Sequence, residues 1–252
     1  MVYLIDTHAH IDMYDNPDEV FLDAQKNGVK KVIIPSVEEQ FFDKVISIAD
    51  RFDDLYCMLG IFPSEAKTWT DNILDKMREL SENKKVVAIG EIGLDYYWDK
   101  TFNEKQKEVF VKQIKLANEL KLPIVVHDRE AHKDCFDILK EVNKGSSVLF
   151  HCFSGSPEFA MECIREGWYI ALGGVVTFKN AVKMKDVAKI VPLERLVLET
   201  DSPYLTPVPF RGKENRPAYV NYVAEEIARL RDMDLDELKQ ITSSNAERFF
   251  GI

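Results

Sequence analysis

Eight short apolar runs recur along the chain at a nearly constant interval, and that rhythm limits the fold more than any other feature. They are Tyr3–Asp6, Lys31–Pro35, Leu55–Gly60, Val86–Glu91, Pro123–His127, Ser147–His151, Trp168–Gly173 and Arg195–Asp201. Across 252 residues the interval is roughly 30, the length of one strand–helix unit. Most runs are continuously apolar, as in Val-Ile-Ile, Ile-Val-Val and Leu-Val-Leu, instead of alternating. A strand apolar on both sides is buried on both, which calls for a parallel sheet covered by helices. Eight such units with no linker between them predict an α/β fold of one domain over residues 1–252, a (β/α)8 TIM barrel.

The segments between the runs read as helices. Asn16-Pro17 opens one with a cap and a first-turn proline, and Gly28 closes it. From Asn103 to Lys121 the apolar positions Val109, Phe110, Ile114, Ala117 and Leu120 fall near a 3.6 period. Ser156-Pro157 opens another, and Arg216-Pro217 starts one that runs to about Arg231. Leu235 to Phe249 adds a further C-terminal helix after the eighth unit.

Histidine is scarce, and its placement carries the chemistry. The five are His8, His10, His127, His132 and His151, and all but His132 stand at the C-terminal end of an expected strand. That is the end of a barrel where catalytic side chains collect. In Asp6-Thr7-His8-Ala9-His10 the two imidazoles are two residues apart on extended chain, so both point to the barrel mouth. Such a pair can hold one cation through two neutral nitrogens. Glu91 ends the fourth run between Gly90 and Gly93, and Asp201 ends the eighth. A carboxylate after an apolar run carries a large desolvation cost unless a cation meets it. Glu199 faces the same way as Asp201 but deeper, either behind a ligand or paired with an arginine.

His8, His10, Glu91, His127, His151 and Asp201 make six candidate ligands. One catalytic zinc usually takes three protein ligands and a water, so six fit two cations sharing a carboxylate, with Glu91 as the bridge. Histidines favour zinc, manganese, nickel or iron, and the carboxylates also admit magnesium.

Composition narrows the substrate and the setting. A net charge of −10 argues against a protein that coats long DNA, but leaves open an enzyme that takes a chain end at a metal site. Cys57, Cys135, Cys152 and Cys163 contain no C-x-x-C pair and are expected to be reduced thiols. Cys152, if it lies on a strand, faces away from His151, which argues against a nucleophile. A first strand starting at Val2 leaves no room for a signal peptide, and the uncharged stretch Gly167 to Phe178 is too short to span a bilayer. A cytoplasmic monomer with no membrane association and no obligate protein partner is the expectation.

At these residues the chain closely resembles the TatD family of metal-dependent deoxyribonucleases, within the amidohydrolase superfamily. The matching motifs are D-T-H-A-H-I-D (Asp6 to Asp12), G-E-I-G-L-D-Y-Y (Gly90 to Tyr97), P-I-V-V-H-D-R-E-A (Pro123 to Ala131), H-C-F-S-G (His151 to Gly155) and E-T-D-S-P-Y-L (Glu199 to Leu205). G-K-E-N-R-P-A-Y-V (Gly212 to Val220) and N-A-E-R-F-F (Asn245 to Phe250) complete the set. The resemblance implies His8, His10, Glu91 and Asp201 around one metal, and Glu91, His127 and His151 around the other. It implies Asp201 as the group that orients or deprotonates the attacking water, with Glu91 catalytic as the shared ligand, and Arg129 as a phosphate contact. The implied activity is a deoxyribonuclease, an exonuclease or phosphodiesterase of 3′-end type. One departure stands out: the family's usual G-x-H-P reads Gly60-Ile61-Phe62-Pro63 here, so Phe62 cannot donate a hydrogen bond.

Arg211 and Lys213 lie in the loop after the eighth run, with Arg216, and are read as a phosphate guide at the mouth. Tyr96, Tyr97, Trp98 and Phe153 are candidates for a base pocket or for loop packing. Two other functions stay open. One is a hydrolase of a small ester, lactone, amide or phosphoester, which the change at Phe62 favours; the other is a non-catalytic metal-binding scaffold, which retention of every proposed ligand disfavours.

Overall fold

The computed structural model describes residues 2–252. Its eight strands are β1 (Leu4–Asp6), β2 (Val29–Pro35), β3 (Leu55–Leu59), β4 (Val86–Asp95), β5 (Ile124–Arg129), β6 (Val148–Phe150), β7 (Tyr169–Leu172) and β8 (Leu196–Leu198). All pair in parallel with their sequence neighbours, in the order β1 to β8. Closure of the barrel is made beyond the strand ends. The Thr7 amide donates to the Leu198 carbonyl at 3.1 Å, Asp201 to His8 at 2.9 Å and His10 to Ser202 at 2.8 Å. The buried Asp6 carboxylate stitches the same seam, accepting from the Thr200 amide at 2.9 Å and the Thr200 hydroxyl at 2.5 Å. Burial pushes that carboxyl well above its ordinary pKa, against the pull of these hydrogen bonds.

Helices alternate with the strands: α1 (Pro17–Lys26), α2 (Phe42–Ala49), α3 (Asn72–Leu80), α4 (Asn103–Leu120), α5 (His132–Val142), α6 (Pro157–Arg165), α7 (Val182–Ile190) and α8 (Val220–Arg231). The sequence signals act locally as expected. Asn16 accepts from the Glu19 amide at the start of α1, and Ser156 accepts from the Phe159 amide at the start of α6. Arg216-Pro217 opens with a short 3₁₀ segment, Pro217–Tyr219, before α8 begins.

Two apolar layers hold the fold. The larger lies between sheet and helices and includes Phe21, Phe42, Phe110 and Phe150, all fully buried. The smaller fills the barrel, with Ile5, Ile33, Met58, Val125, Leu149 and Val197 pointing inward. The extra helix, α9 (Leu235–Phe250), caps the bottom of this inner layer with Ala246, Phe249 and Phe250. Glu247 of α9 holds Tyr3 at 2.6 Å and the buried Lys31 at 3.0 Å, which ties the cap to the first two strand segments. Burying the apolar interior at the bottom leaves the top as the open end.

Two strand ends differ from the expectation by three residues or more. β4 does not stop at Glu91 but runs to Asp95, because Gly93 lets the strand continue in close contact with β5. Its φ is +145°, and a Cβ there would lie 2.0 Å from the His127 carbonyl oxygen of β5. β8 ends earlier, at Leu198, because Glu199 to Asp201 turn away to make the closing seam, with Asp201 at φ +54°.

Candidate metal centre

Strand register places the site residues. His127 lies two positions beyond the inward-facing Val125, His151 two beyond Leu149, and Glu199 two beyond Val197, so all three continue the interior face upward. His8 and His10 leave the end of β1, and their rings approach to 5.2 Å between centroids. His8 also stacks on His151 from the opposite part of the barrel, at 3.9 Å.

Glu91 stands at the centre and divides its two oxygens. Oε2 lies 3.3 Å from His8 Nε2, while Oε1 lies 2.8 Å from both His127 Nδ1 and His151 Nε2. On the first side, Asp201 Oδ1 is 3.8 Å from His8 Nε2 and 3.6 Å from His10 Nε2. Two clusters result, His8 with His10 and Asp201, and Glu91 with His127 and His151, and a third grouping joins His8 and His151 with Glu199; within each, the potential ligand atoms lie within 4.8 Å of one another. The six residues singled out in the sequence are therefore brought together.

Behind the ligand atoms sits a second row. His127 Nε2 is 3.1 Å from Asp95 Oδ2, so its outer nitrogen can donate there while Nδ1 faces Glu91. His151 Nδ1 is 3.6 Å from Glu199 Oε1, which also accepts from the Cys152 amide at 2.6 Å. Glu199 thus backs a histidine, and among the described residues no arginine lies within 4.0 Å of it. Asp95 was not singled out in the sequence. Its signal was the continuation Ile92-Gly93-Leu94-Asp95 after Glu91, hidden by the apparent end of the strand at the glycines.

The electrostatics of the cluster fit divalent cations. Glu91, Asp95, Glu199 and Asp201 are largely buried, and among the described residues their charged neighbours within 4.0 Å are histidines alone. Burying that much negative charge without a permanent cation is costly. Burial would raise the Glu91 carboxyl, yet His151, His8 and His127 hold it well below the ordinary range. Burial works against charge on His151 too, but Glu91 and Glu199 pull it well upward. His8 is lowered, by burial first and by His151 second. Both His8 ring nitrogens, His151 Nδ1 and Glu199 Oε2 are buried without a hydrogen-bond partner. Orphaned imidazole nitrogens beside unpaired carboxylates are the donor set that a zinc- or manganese-like ion takes.

The second row makes a prediction. Asp95→Ala is expected to weaken metal binding about 10- to 100-fold by freeing His127 to rotate and change tautomer. Titration with a competing chelator reads this directly, and unchanged affinity would remove Asp95 from the centre.

A cavity of ≈ 750 Å³ opens above the cluster, lined by Glu91, His127, His151 and Asp201 below and by loop residues above. Arg129 lines it, with its guanidinium 3.8 Å over the Tyr97 ring and 5.2 Å from Trp98. Among the described residues no carboxylate lies within the 4.0 Å of an ion pair with Arg129. Phe62 lines the cavity as well and sets its ring edge against His127 at 4.5 Å. Of the four mouth aromatics, Trp98 and Tyr97 are open to solvent at 71% and 48%. Tyr96 is tied to Asp134 at 2.8 Å, and Phe153 is buried against Phe150 and Phe159.

Arg211 and Lys213 are not among the lining residues. Arg211 donates to the Thr206 carbonyl at 3.0 Å and covers Phe178, while Lys213 lies over Phe210. Cys152 is not on a strand; it follows β6 with φ +42°, and burial pushes its thiol well above the ordinary range, so it holds its proton. No described helix is long and apolar enough to cross a membrane.

Similarity to known proteins agrees with this geometry. A family model described as TatD related DNase matches residues 5–251. A Bacillus subtilis protein named "Uncharacterized metal-dependent hydrolase YabD" is 45% identical over 253 residues, covering 99% of each chain. "Uncharacterized metal-dependent hydrolase YcfH" of Escherichia coli is 37% identical over 259 residues, covering 100% of this chain and 97% of YcfH. The crystal structure of the Escherichia coli TatD homologue YjjV superposes with a TM-score of 0.92 at 33% identity, covering 99% of this chain and 98% of that one. An organophosphorus hydrolase mutant covers 99% of this chain and 93% of its own at TM-score 0.68 and 14% identity, a likeness of fold alone. With nearly its whole length matched by the family model and by relatives well above 30% identity, the chain belongs to the TatD-related DNase family.

Proposed function

We propose that this protein is a hydrolase that binds two divalent cations and cleaves phosphodiester bonds at DNA ends, as an exonuclease or phosphodiesterase of 3′-end type. The observation that carries the reading is the division of Glu91, one oxygen toward His8 and the other toward His127 and His151. In this reading His8, His10, Glu91 and Asp201 hold one ion, and Glu91, His127 and His151 the other, each zinc, manganese, nickel, iron or magnesium. The names carried by YabD and YcfH agree with metal-dependent hydrolysis.

When bound, such ions supply Lewis acidity, which acidifies water and offsets charge on phosphoryl oxygens. The chain's own groups do the rest. Burial raises the Asp201 carboxyl, but the nearby His10, His8 and His151 imidazoles bring it below the ordinary value, so it is ionised at neutral pH. It faces the cavity and accepts the proton of the attacking water at a carboxylate oxygen. Arg129, preoriented on Tyr97, presents paired N–H groups to the phosphate. Phe62 and Trp98 offer flat apolar faces to a base or sugar. Arg211 and Lys213, outside the cavity lining, act at longer range by offsetting part of the chain's negative charge near the loop after β8.

Metal-loaded protein is expected to release nucleotides from single-stranded DNA ends, to lose this with EDTA, and to regain it with one of the five ions. A second reading is supported by the many apolar side chains of the cavity, Met13, Val37, Phe62, Val175 and Leu205 among them. They suit a small ester, lactone, amide or phosphoester. If metal-loaded protein leaves every DNA end intact over hours while turning over such a compound, the DNA reading is replaced by the second.

A further inference from the structure

Away from the histidine–carboxylate cluster, the mouth is unevenly charged. Arg129 is the sole lysine or arginine among the described residues that line it. Glu38 and Glu65 line it too. Glu38 follows β2, and Glu65 lies in the 3₁₀ segment Pro63–Thr68 after β3, so they come from adjacent barrel units. Among the described residues neither has a basic side chain within 4.0 Å; Glu38 accepts from the Gln40 amide, and Glu65 from the neighbouring Ser64 hydroxyl.

Charge balance then decides what the mouth tolerates. Glu91, Asp95, Glu199 and Asp201 match two divalent cations, so a filled cluster adds no net positive potential. One phosphate has Arg129 to meet it. A strand that continues through the mouth brings further phosphates toward Glu38 and Glu65, with no second lysine or arginine among the described lining residues to meet them. Those carboxylates act over about 10 Å at 0.1 M salt. The net charge of −10 adds to the same repulsion.

We propose that Glu38 and Glu65 form a charge filter: the mouth accepts one phosphodiester at a chain end or in a short oligonucleotide, and turns away the interior of a long strand. This rests on the phosphodiesterase reading above.

The test compares Glu38→Gln/Glu65→Gln with the parent on a thymidine dinucleotide, a linear single-stranded 12-mer and a circular single strand. Removing two charges is expected to raise kcat/KM on the 12-mer about 5- to 10-fold at low salt, fading above about 0.3 M. On the dinucleotide the change stays within about 2-fold, because its lone phosphate sits on Arg129. Slow cutting of the circle appears only in the variant. A control of equal charge, Glu79→Gln/Glu82→Gln, lies at and just beyond the far end of α3 and leaves the 12-mer to dinucleotide ratio at the parent value. An unchanged ratio in the mouth variant, or an equal rise in the control, overturns the filter. If the parent cleaves no DNA, the phosphodiesterase reading falls by that result. The filter is then read from equilibrium binding of a labelled 12-mer: tightening in the mouth variant supports it, and an unchanged dissociation constant overturns it.

Discussion

Glu91→Ala is expected to lower turnover by about 10³-fold or more and to reduce bound metal from two ions per chain to one or none. Glu91 divides its oxygens between the two clusters, with Oε2 3.3 Å from His8 Nε2 and Oε1 2.8 Å from His127 Nδ1 and His151 Nε2. Deleting it removes a ligand from each ion at once. It also strips negative charge from among four imidazoles, which makes a second divalent charge harder to hold. Glu91→Gln separates the two contributions. An amide offers one oxygen and one NH₂, so it can serve one cluster while repelling the cation of the other. One ion per chain is therefore expected in the amide variant. Metal analysis by mass spectrometry, with kcat on the same samples and a melting curve to show that the barrel is intact, checks all of this. Two ions retained with turnover within about 10-fold of the parent would falsify the bridge.

Asp201→Asn is expected to lower kcat about 10²- to 10⁴-fold while leaving KM nearly unchanged, because the amide keeps the shape but cannot take a proton. Asp201 is the cavity-facing carboxylate of the first cluster, near His8 and His10. The contrast with Asp95 is informative. Asp95 touches His127 and acts on the centre through that ring. Excess metal should restore an Asp95→Ala enzyme and should not restore Asp201→Asn. Recovery of Asp201→Asn at saturating metal would make Asp201 a ligand only, and the proton acceptor would have to be sought elsewhere.

The candidate ligands were legible because their positions follow from a local rule. In a strand, alternate residues share a face, so His127 two beyond Val125 and His151 two beyond Leu149 had to enter the barrel interior. The His8–His10 pair and the strand-end carboxylates obey the same rule. Asp95 escaped it because the fourth run reads as ending at Glu91, four residues short of Asp95. In the barrel, Gly93 is where β4 and β5 press together, pairing Asp95 with Arg129 in register. Glu199 could be narrowed to two roles and no further, since its partner, His151, comes from 48 residues earlier in the chain.

What the sequence determined by itself is the strand–helix rhythm, the burial of each strand on both faces and the end of the barrel where the histidines gather. These rest on periodicity and hydrophobicity, which act between near neighbours. Tertiary structure alone decided which oxygen of Glu91 meets which histidine, that Arg211 turns onto Phe178 while Arg129 lines the cavity, and that Glu38 and Glu65 stand unpaired at the mouth. Those facts depend on distances across a closed sheet and on the paths of loops. Both are set by contacts between residues far apart in the chain, for which no local pattern exists.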